Sequence, residues 1–202
     1  MNILVIGGTG TIGKEVVNLL KRDHHVIAIG RTSGDYQMNF ENKASIEKMF
    51  NDFSDIDGII SLAGDAELAP YHSQPDDQIN LAINSKLKAN LNLIRVASNR
   101  LNKGGFVLLT SGMAAQDFMP GASSVSMALG GLETYVKSIQ IEPYNNIRVQ
   151  MIRPVVITET LKTFKLDLPY SVSARETAKI YQEVVDGHHN EVIVNVSDLI
   201  HQ

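Results

Sequence analysis

The chain has 202 residues, of which 44% are apolar and 20% charged, and its formal net charge is −4. That length suits one domain burying roughly 70% of its unfolded surface, and the mild acidity gives no electrostatic basis for binding nucleic acid or an anionic membrane surface. The lack of cysteine excludes disulfides, thiolate metal sites and cysteine nucleophiles.

Residues 3 to 13 read ILVIGGTGTIG, a β-branched run entering a glycine-rich turn. Gly8, Gly10 and Gly13 fit the G-x-G-x-x-G spacing, while Gly7, Gly10 and Gly13 fit a G-x-x-G-x-x-G variant. An amphipathic pattern (Ile12, Val16, Val17, Leu19, Leu20) follows at once. A strand, a glycine turn and a helix in this order set free N–H groups and a positive helix end around a pyrophosphate. Gly7, Thr9, Gly10, Thr11, Ile12 and Gly13 are therefore expected to bind a dinucleotide.

Further strands are predicted at Val26–Gly30, Gly58–Leu62, Gly105–Thr110, Ile147–Ile152 and Glu191–Val196, after a first at Asn2–Ile6. Helices are predicted at 11–22, 43–53, 76–101, 121–141 and 173–186. Short, nearly all-apolar strands separated by helices require right-handed crossovers. The expected fold is α/β, a doubly wound (Rossmann) parallel sheet with helices on both faces, and 1–202 as a single domain. Gly130 and Gly131 interrupt an apolar helix at a cost of about 1 kcal/mol each, which predicts a backbone packed closely there. His24-His25 and His188-His189 stand in polar turns and are expected to be solvated, so no metal site is expected.

In a fold of this kind an acidic residue about 20 positions beyond the glycines accepts the adenosine ribose hydroxyls of NAD. No Asp or Glu occurs between His24 and Gly34, and the second strand ends Ile29-Gly30-Arg31-Thr32-Ser33. Arg31 offers a forked, permanent cation to a 2′-phosphate, with the Thr32 and Ser33 hydroxyls beside it. NADP(H) is expected over NAD(H).

With these residues in place, the chain resembles the short-chain dehydrogenase/reductase family over nearly its whole length. GGTGTIG (residues 7–13) matches that family's nucleotide turn, and Asn39 stands where the family usually has an Asp beside the adenine. Ser61-Leu62-Ala63-Gly64 takes the place of its N-N-A-G step, which implies coenzyme contacts from Ala63 and Gly64. The resemblance further implies a proton-relay role for Asn84, substrate orientation by Ser111, and nicotinamide contacts from Pro154 and Thr158. It departs at the catalytic Tyr-x-x-x-Lys pair. Counting from Ser111 puts Ser124 and Ala128 at those positions, aligning on Leu132-Glu133 and Ser138-Ile139 shifts them to Val125 and Leu129, and no Tyr in the chain has a Lys four residues on.

A positioned acid contributes about 10²–10⁴ in rate, so its loss slows carbonyl reduction without forbidding it. Ser111 and Asn84 are the remaining candidate catalytic residues; Ser124 and Ser126 read more simply as helix caps. Asp65, Glu67, Tyr71 and His72 lie in the loop after Gly64. Only Thr158 to Ser173 could cover the nicotinamide, so the substrate is expected to be small. The expected activity is NADP(H)-dependent oxidoreduction of a small carbonyl or alcohol with a non-standard proton donor. Its alternative is a non-catalytic NADP(H)-binding redox sensor or regulatory protein. A cytoplasmic homodimer or homotetramer joined through the 76–101 and 121–141 helices is expected, with no membrane or nucleic-acid partner.

Overall fold

The computed structural model describes residues 1–164 and 170–200. Seven parallel strands form one sheet in the order β3-β2-β1-β4-β5-β6-β7. They are β1 (Asn2–Ile6), β2 (His25–Gly30), β3 (Tyr36–Gln37), β4 (Gly58–Ser61), β5 (Phe106–Thr110), β6 (Arg148–Arg153) and β7 (Ile193–Asn195). The order reverses at β1, so the crevice above the carboxyl ends of β1 and β4 is where such a sheet opens to a ligand.

Both sheet faces are covered, which explains strands without polar alternation. Ile3 and Val5 point to one face, where α1 (Thr11–Leu20) packs with α7 (Ala174–Val185) through Val16, Leu20, Tyr181 and Val184. Leu4 and Ile6 point to the other, against α2 (Lys43–Asp52), α4 (Ala89–Ala97) and α5 (Ser123–Ile139). Leu93, Leu132 and Val136 lie fully buried there. These period-2 strands and period-3.6 helices are what the sequence announces.

Several expectations need correction. β3 was not anticipated, because a two-residue strand leaves no apolar run; it exists through pairing of Tyr36 with Ile29. Two short helices, α6 (Thr158–Phe164) and α8 (Val196–Ile200), were likewise not predicted. The predicted 76–101 helix is three segments: α3 (Asp76–Ala82), a π-helical stretch (Ile83–Lys88) and α4. The expected substrate cover, Thr158 to Ser173, includes residues 165–169, which lie outside the described residues.

No described backbone of this chain presses on the α5 glycines, where the sequence predicts close approach of this sheet or of a partner helix. A Cβ on Gly130 would meet nothing within 4 Å, and one on Gly131 would touch only the Leu87 side chain at 3.6 Å. The paired histidines are also not simply solvated. His24 faces Asp186 at 3.9 Å, and His189 sits 3.2 Å from Glu183 and 3.6 Å from Glu191. Among the described residues no group of three or more His, Cys, Asp or Glu side chains is placed to hold a metal ion. No described helix is long and apolar enough to cross a membrane.

Candidate active site

The glycine turn closes β1 onto α1. Gly7 has φ +78°, and a Cβ there would lie 2.8 Å from the Ala63 nitrogen. A Cβ on Gly13 would lie 2.0 Å from the Gly7 carbonyl, so the first turn of α1 is drawn against the loop. The Gly7 and Gly8 N–H groups donate to the Ile29 carbonyl, and Gly10 N–H donates to Gly7. Gly10 caps α1 without a side-chain bond. Helix geometry gives the N–H groups of Thr11, Ile12 and Gly13 no intrahelical partner. A cradle with no Cβ in the way, facing a positive helix end, fits a diphosphate.

A groove of about 300 Å³ runs from this turn, lined by Gly7, Thr9, Gly10, Arg31, Ala63 and Gly64. Residues far apart in sequence thus share one wall. Its outer end is walled by Met38 and Phe40. Asn39 lies between them, exposed, and spends its side-chain oxygen on the Glu41 N–H at 3.1 Å. Thr32 and Ser33 are exposed beside Arg31. The Thr32 carbonyl accepts from Gln37 at 3.2 Å.

Arg31 is not the isolated cation that the local sequence suggests. Its guanidinium donates to Glu41 at 3.0 Å and stands 3.1 Å from Asp65. Since Arg31 follows β2 and Asp65 follows β4, the second pair reaches over the end of β1, across the groove. The local sequence does not mark either carboxylate as its partner, because both lie well beyond the end of β2 in the chain.

At the ends of β5 and β6 the structure builds a buried ionic network. Ser111 Oγ donates to Glu133 Oε1 at 2.5 Å, and Arg153 grips both oxygens of that carboxylate at 3.0 and 2.6 Å. Arg153 also donates to Gln116 at 2.9 Å. Ser111, Glu133 and Arg153 are each no more than 7% exposed. A carboxylate can only accept, so the single Ser111 proton is directed inward and its lone pairs outward. The sequence signals for this network are a Glu within an apolar helix and an Arg ending a strand, neither of which names its partner. A second chain of bonds lies one strand away. Thr110 Oγ1 donates to the Ser61 carbonyl at 2.8 Å and meets the Tyr181 hydroxyl at 2.7 Å. Burial pushes that phenol above its ordinary range.

Ser124 and Ala128, at the positions counted from Ser111, are buried at 5% and 0% exposure. Ser124 Oγ accepts from Gln74 at 3.0 Å, and the residue capping α5 is Ala122, without a side-chain bond. Pro154 is buried behind β6, while Thr158 opens α6 and pairs its hydroxyl with Ser171 at 3.0 Å. Asn84 lies part-buried in the π-helical stretch; its carbonyl accepts from the Ala89 N–H, and its side chain has no hydrogen-bond partner among the described residues. From this stretch Ser85 lines the groove, and the Lys86 Nζ donates at 2.9 Å to the carbonyl of Gly64, which also lines it. Of the following loop, Asp65 lines the groove, Glu67 accepts from Gln78 at 2.7 Å, and Tyr71 packs edge-on to His72.

A family model described as enoyl-(acyl carrier protein) reductase matches residues 12–186. Among solved structures, the protein lin1944 from Listeria innocua is similar with a TM-score of 0.91 at 30% identity, over 97% of this chain and 99% of that one. A small-chain dehydrogenase in complex with NADPH is similar at 0.84 and 20% identity, over 96% and 95% of the two chains. Serine dehydrogenase from Escherichia coli follows at 0.81 and 18%, over 96% of both. At such identities the last two show the fold alone. No curated protein matches the sequence.

Proposed function

The chain belongs to the short-chain dehydrogenase/reductase family of oxidoreductases, which bind nicotinamide coenzymes, and we propose that it uses NADP(H) to interconvert a small carbonyl and its alcohol with a non-standard proton donor. The observation that carries the reading is one groove holding both the Gly7–Gly13 cradle and Arg31. The cradle suits the pyrophosphate, and Arg31 suits a 2′-phosphate. The two carboxylates on Arg31 compensate its charge until that phosphate arrives. The bound coenzyme supplies hydride chemistry; the protein supplies orientation and charge.

On this reading Gly7, Thr9, Gly10, Thr11, Ile12 and Gly13 hold the diphosphate, and Arg31, Thr32 and Ser33 the 2′-phosphate. Asn39 and Ala63 border the adenosine and its neighbouring ribose, with Gly64, Pro154 and Thr158 toward the nicotinamide side. With its proton on Glu133, Ser111 accepts from the O–H of an alcohol substrate, whereas a carbonyl oxygen, which can only accept, needs the Ser111 proton turned away from Glu133. Asn84 keeps a place near the reacting groups. The protein acts as one domain in the cytoplasm and self-associates through α3–α4 and α5, where Met127 is 52% exposed.

A second reading, a redox sensor that binds NADP(H) without turnover, is favoured by one observation: the Ser111 proton is already committed to Glu133. NADPH oxidation measured against a panel of small carbonyls and quinones separates the two. Turnover that falls at least tenfold in Ser111→Ala is the expected result. Tight NADPH binding with no oxidation across the panel selects the sensor, and no binding of any nicotinamide nucleotide overturns both.

A further inference from the structure

We propose that Lys86 is a coenzyme-binding residue, the ammonium that this chain brings to the nicotinamide side of the groove in place of the lysine absent at position 128. The inference rests on the nicotinamide-nucleotide reading above.

Lys86 stands in the π-helical stretch, a widened turn of the kind found at functional sites. Its register is fixed from both sides. Ser85 accepts from the Asp65 N–H at 2.5 Å and donates to the Asp65 carbonyl at 2.8 Å. Asn90 donates to the Lys86 carbonyl at 2.8 Å while accepting from Ser61 at 2.9 Å. The backbone of Lys86 is therefore tied to the end of β4 before its side chain is considered.

That side chain runs back to the groove loop. A Cβ on Gly64 would fall 3.2 Å from Lys86 Cγ and 3.4 Å from its Nζ, so glycine there leaves the space the lysine fills. Gly64 and Ser85 line the groove. Lys21, Lys43 and Lys48 carry surface ion pairs at 46%, 48% and 67% exposure, whereas Lys86 is part-buried. Burial pulls its ammonium below the ordinary lysine range, with Asp65 opposing the shift.

An ammonium has three N–H donors. The Gly64 carbonyl takes one, and among the described residues the Lys86 ammonium has no other hydrogen-bond partner. The carboxylate facing it, Asp65, is itself engaged by Arg31. A partly desolvated cation with donors to spare is costly unless a ligand supplies acceptors. β4 and β2 flank β1 on opposite sides. Lys86 therefore stands across the diphosphate cradle from Arg31, where ribose hydroxyls and phosphate oxygens of the nicotinamide half would lie.

Calorimetric titration of Lys86→Met with NADPH and with 2′,5′-ADP, which lacks the nicotinamide half, tests the assignment. A charge-assisted hydrogen bond predicts that NADPH weakens by about tenfold or more, Lys86→Arg recovers part of the loss, and 2′,5′-ADP changes less than about twofold. In the wild-type protein, reductive methylation of Lys86 read by mass spectrometry should be suppressed by NADPH and not by 2′,5′-ADP. Unchanged NADPH affinity, equal weakening of both ligands, or methylation indifferent to NADPH overturns the proposal. A wild-type protein that binds no NADPH removes the functional reading itself, which the variants alone would not do.

Discussion

The guanidinium of Arg31 and the carboxylate of Asp65 meet at 3.1 Å, joining the ends of two strands that flank β1. Their contact spans the groove in which a dinucleotide would lie, so a ligand that needs Arg31 has first to displace Asp65. Both side chains are 58% exposed, and an ion pair so solvated is worth under about 1 kcal/mol. The strap is therefore easily opened. It still places a negative charge beside the position proposed for a 2′-phosphate.

Asp65→Asn should accordingly tighten NADPH binding by roughly two- to tenfold, with NADH nearly unaffected, because only NADPH carries the phosphate that the carboxylate repels. Titrations of both nucleotides against both proteins measure the difference. Weaker NADPH binding in the variant would mean that Asp65 holds Arg31 in place for the ligand.

Arg31→Ala should weaken NADPH by about 10- to 100-fold, the loss of a charge-assisted hydrogen bond, and leave NADH within about threefold. Equal weakening of the two nucleotides would refute the choice of NADP(H).

Glu133 and Arg153 form the protein's most buried ion pair among the described residues, at 6% and 8% side-chain exposure. Removing one partner strands the other charge in the core. Glu133→Gln should lower stability by about 3–5 kcal/mol, whereas the double replacement Glu133→Met with Arg153→Met should recover most of it. Urea melts of the singles and the double decide the point. Additive losses would show that packing rather than charge pairing dominates there.

Asp57 binds the Asn102 side chain and the Asn2 N–H, both at 2.7 Å, and these bonds hold its carboxyl below the ordinary aspartate range. A depressed folded-state pKa contributes stability that is present above the unfolded value, near pH 4, and lost as pH falls through the folded one. Asp57→Asn should therefore flatten the acid limb of the stability curve below about pH 4 and leave its shape near pH 7 unchanged. Urea midpoints across pH 2–7 provide the measurement, and an acid limb as steep as in the wild type would count against Asp57.

The coenzyme cradle was legible in residues 3 to 13 because everything it needs is local. Strand, turn and helix are adjacent in the chain, and Gly7 and Gly13 act on neighbours a few positions away. A doubly wound parallel sheet followed from the βα alternation and the handedness of crossovers, whereas the strand order came from the structure. Asn84 and Lys86 illustrate the limit: both stand in one helical run, and only a π turn that no periodicity marks decides which of them faces Gly64.

Local pattern in the amino-acid sequence thus determined the parallel sheet, its helices, the glycine turn and the missing Tyr-x-x-x-Lys pair. Tertiary structure alone decided which charges meet: Arg31 with Asp65, Ser111 with Glu133, Glu133 with Arg153 and Lys86 with Gly64. The physical reason is range. Hydrophobic periodicity and backbone sterics act within a few residues, whereas these partners stand twenty or more residues apart and are joined only when separate strands and helices dock on one sheet edge.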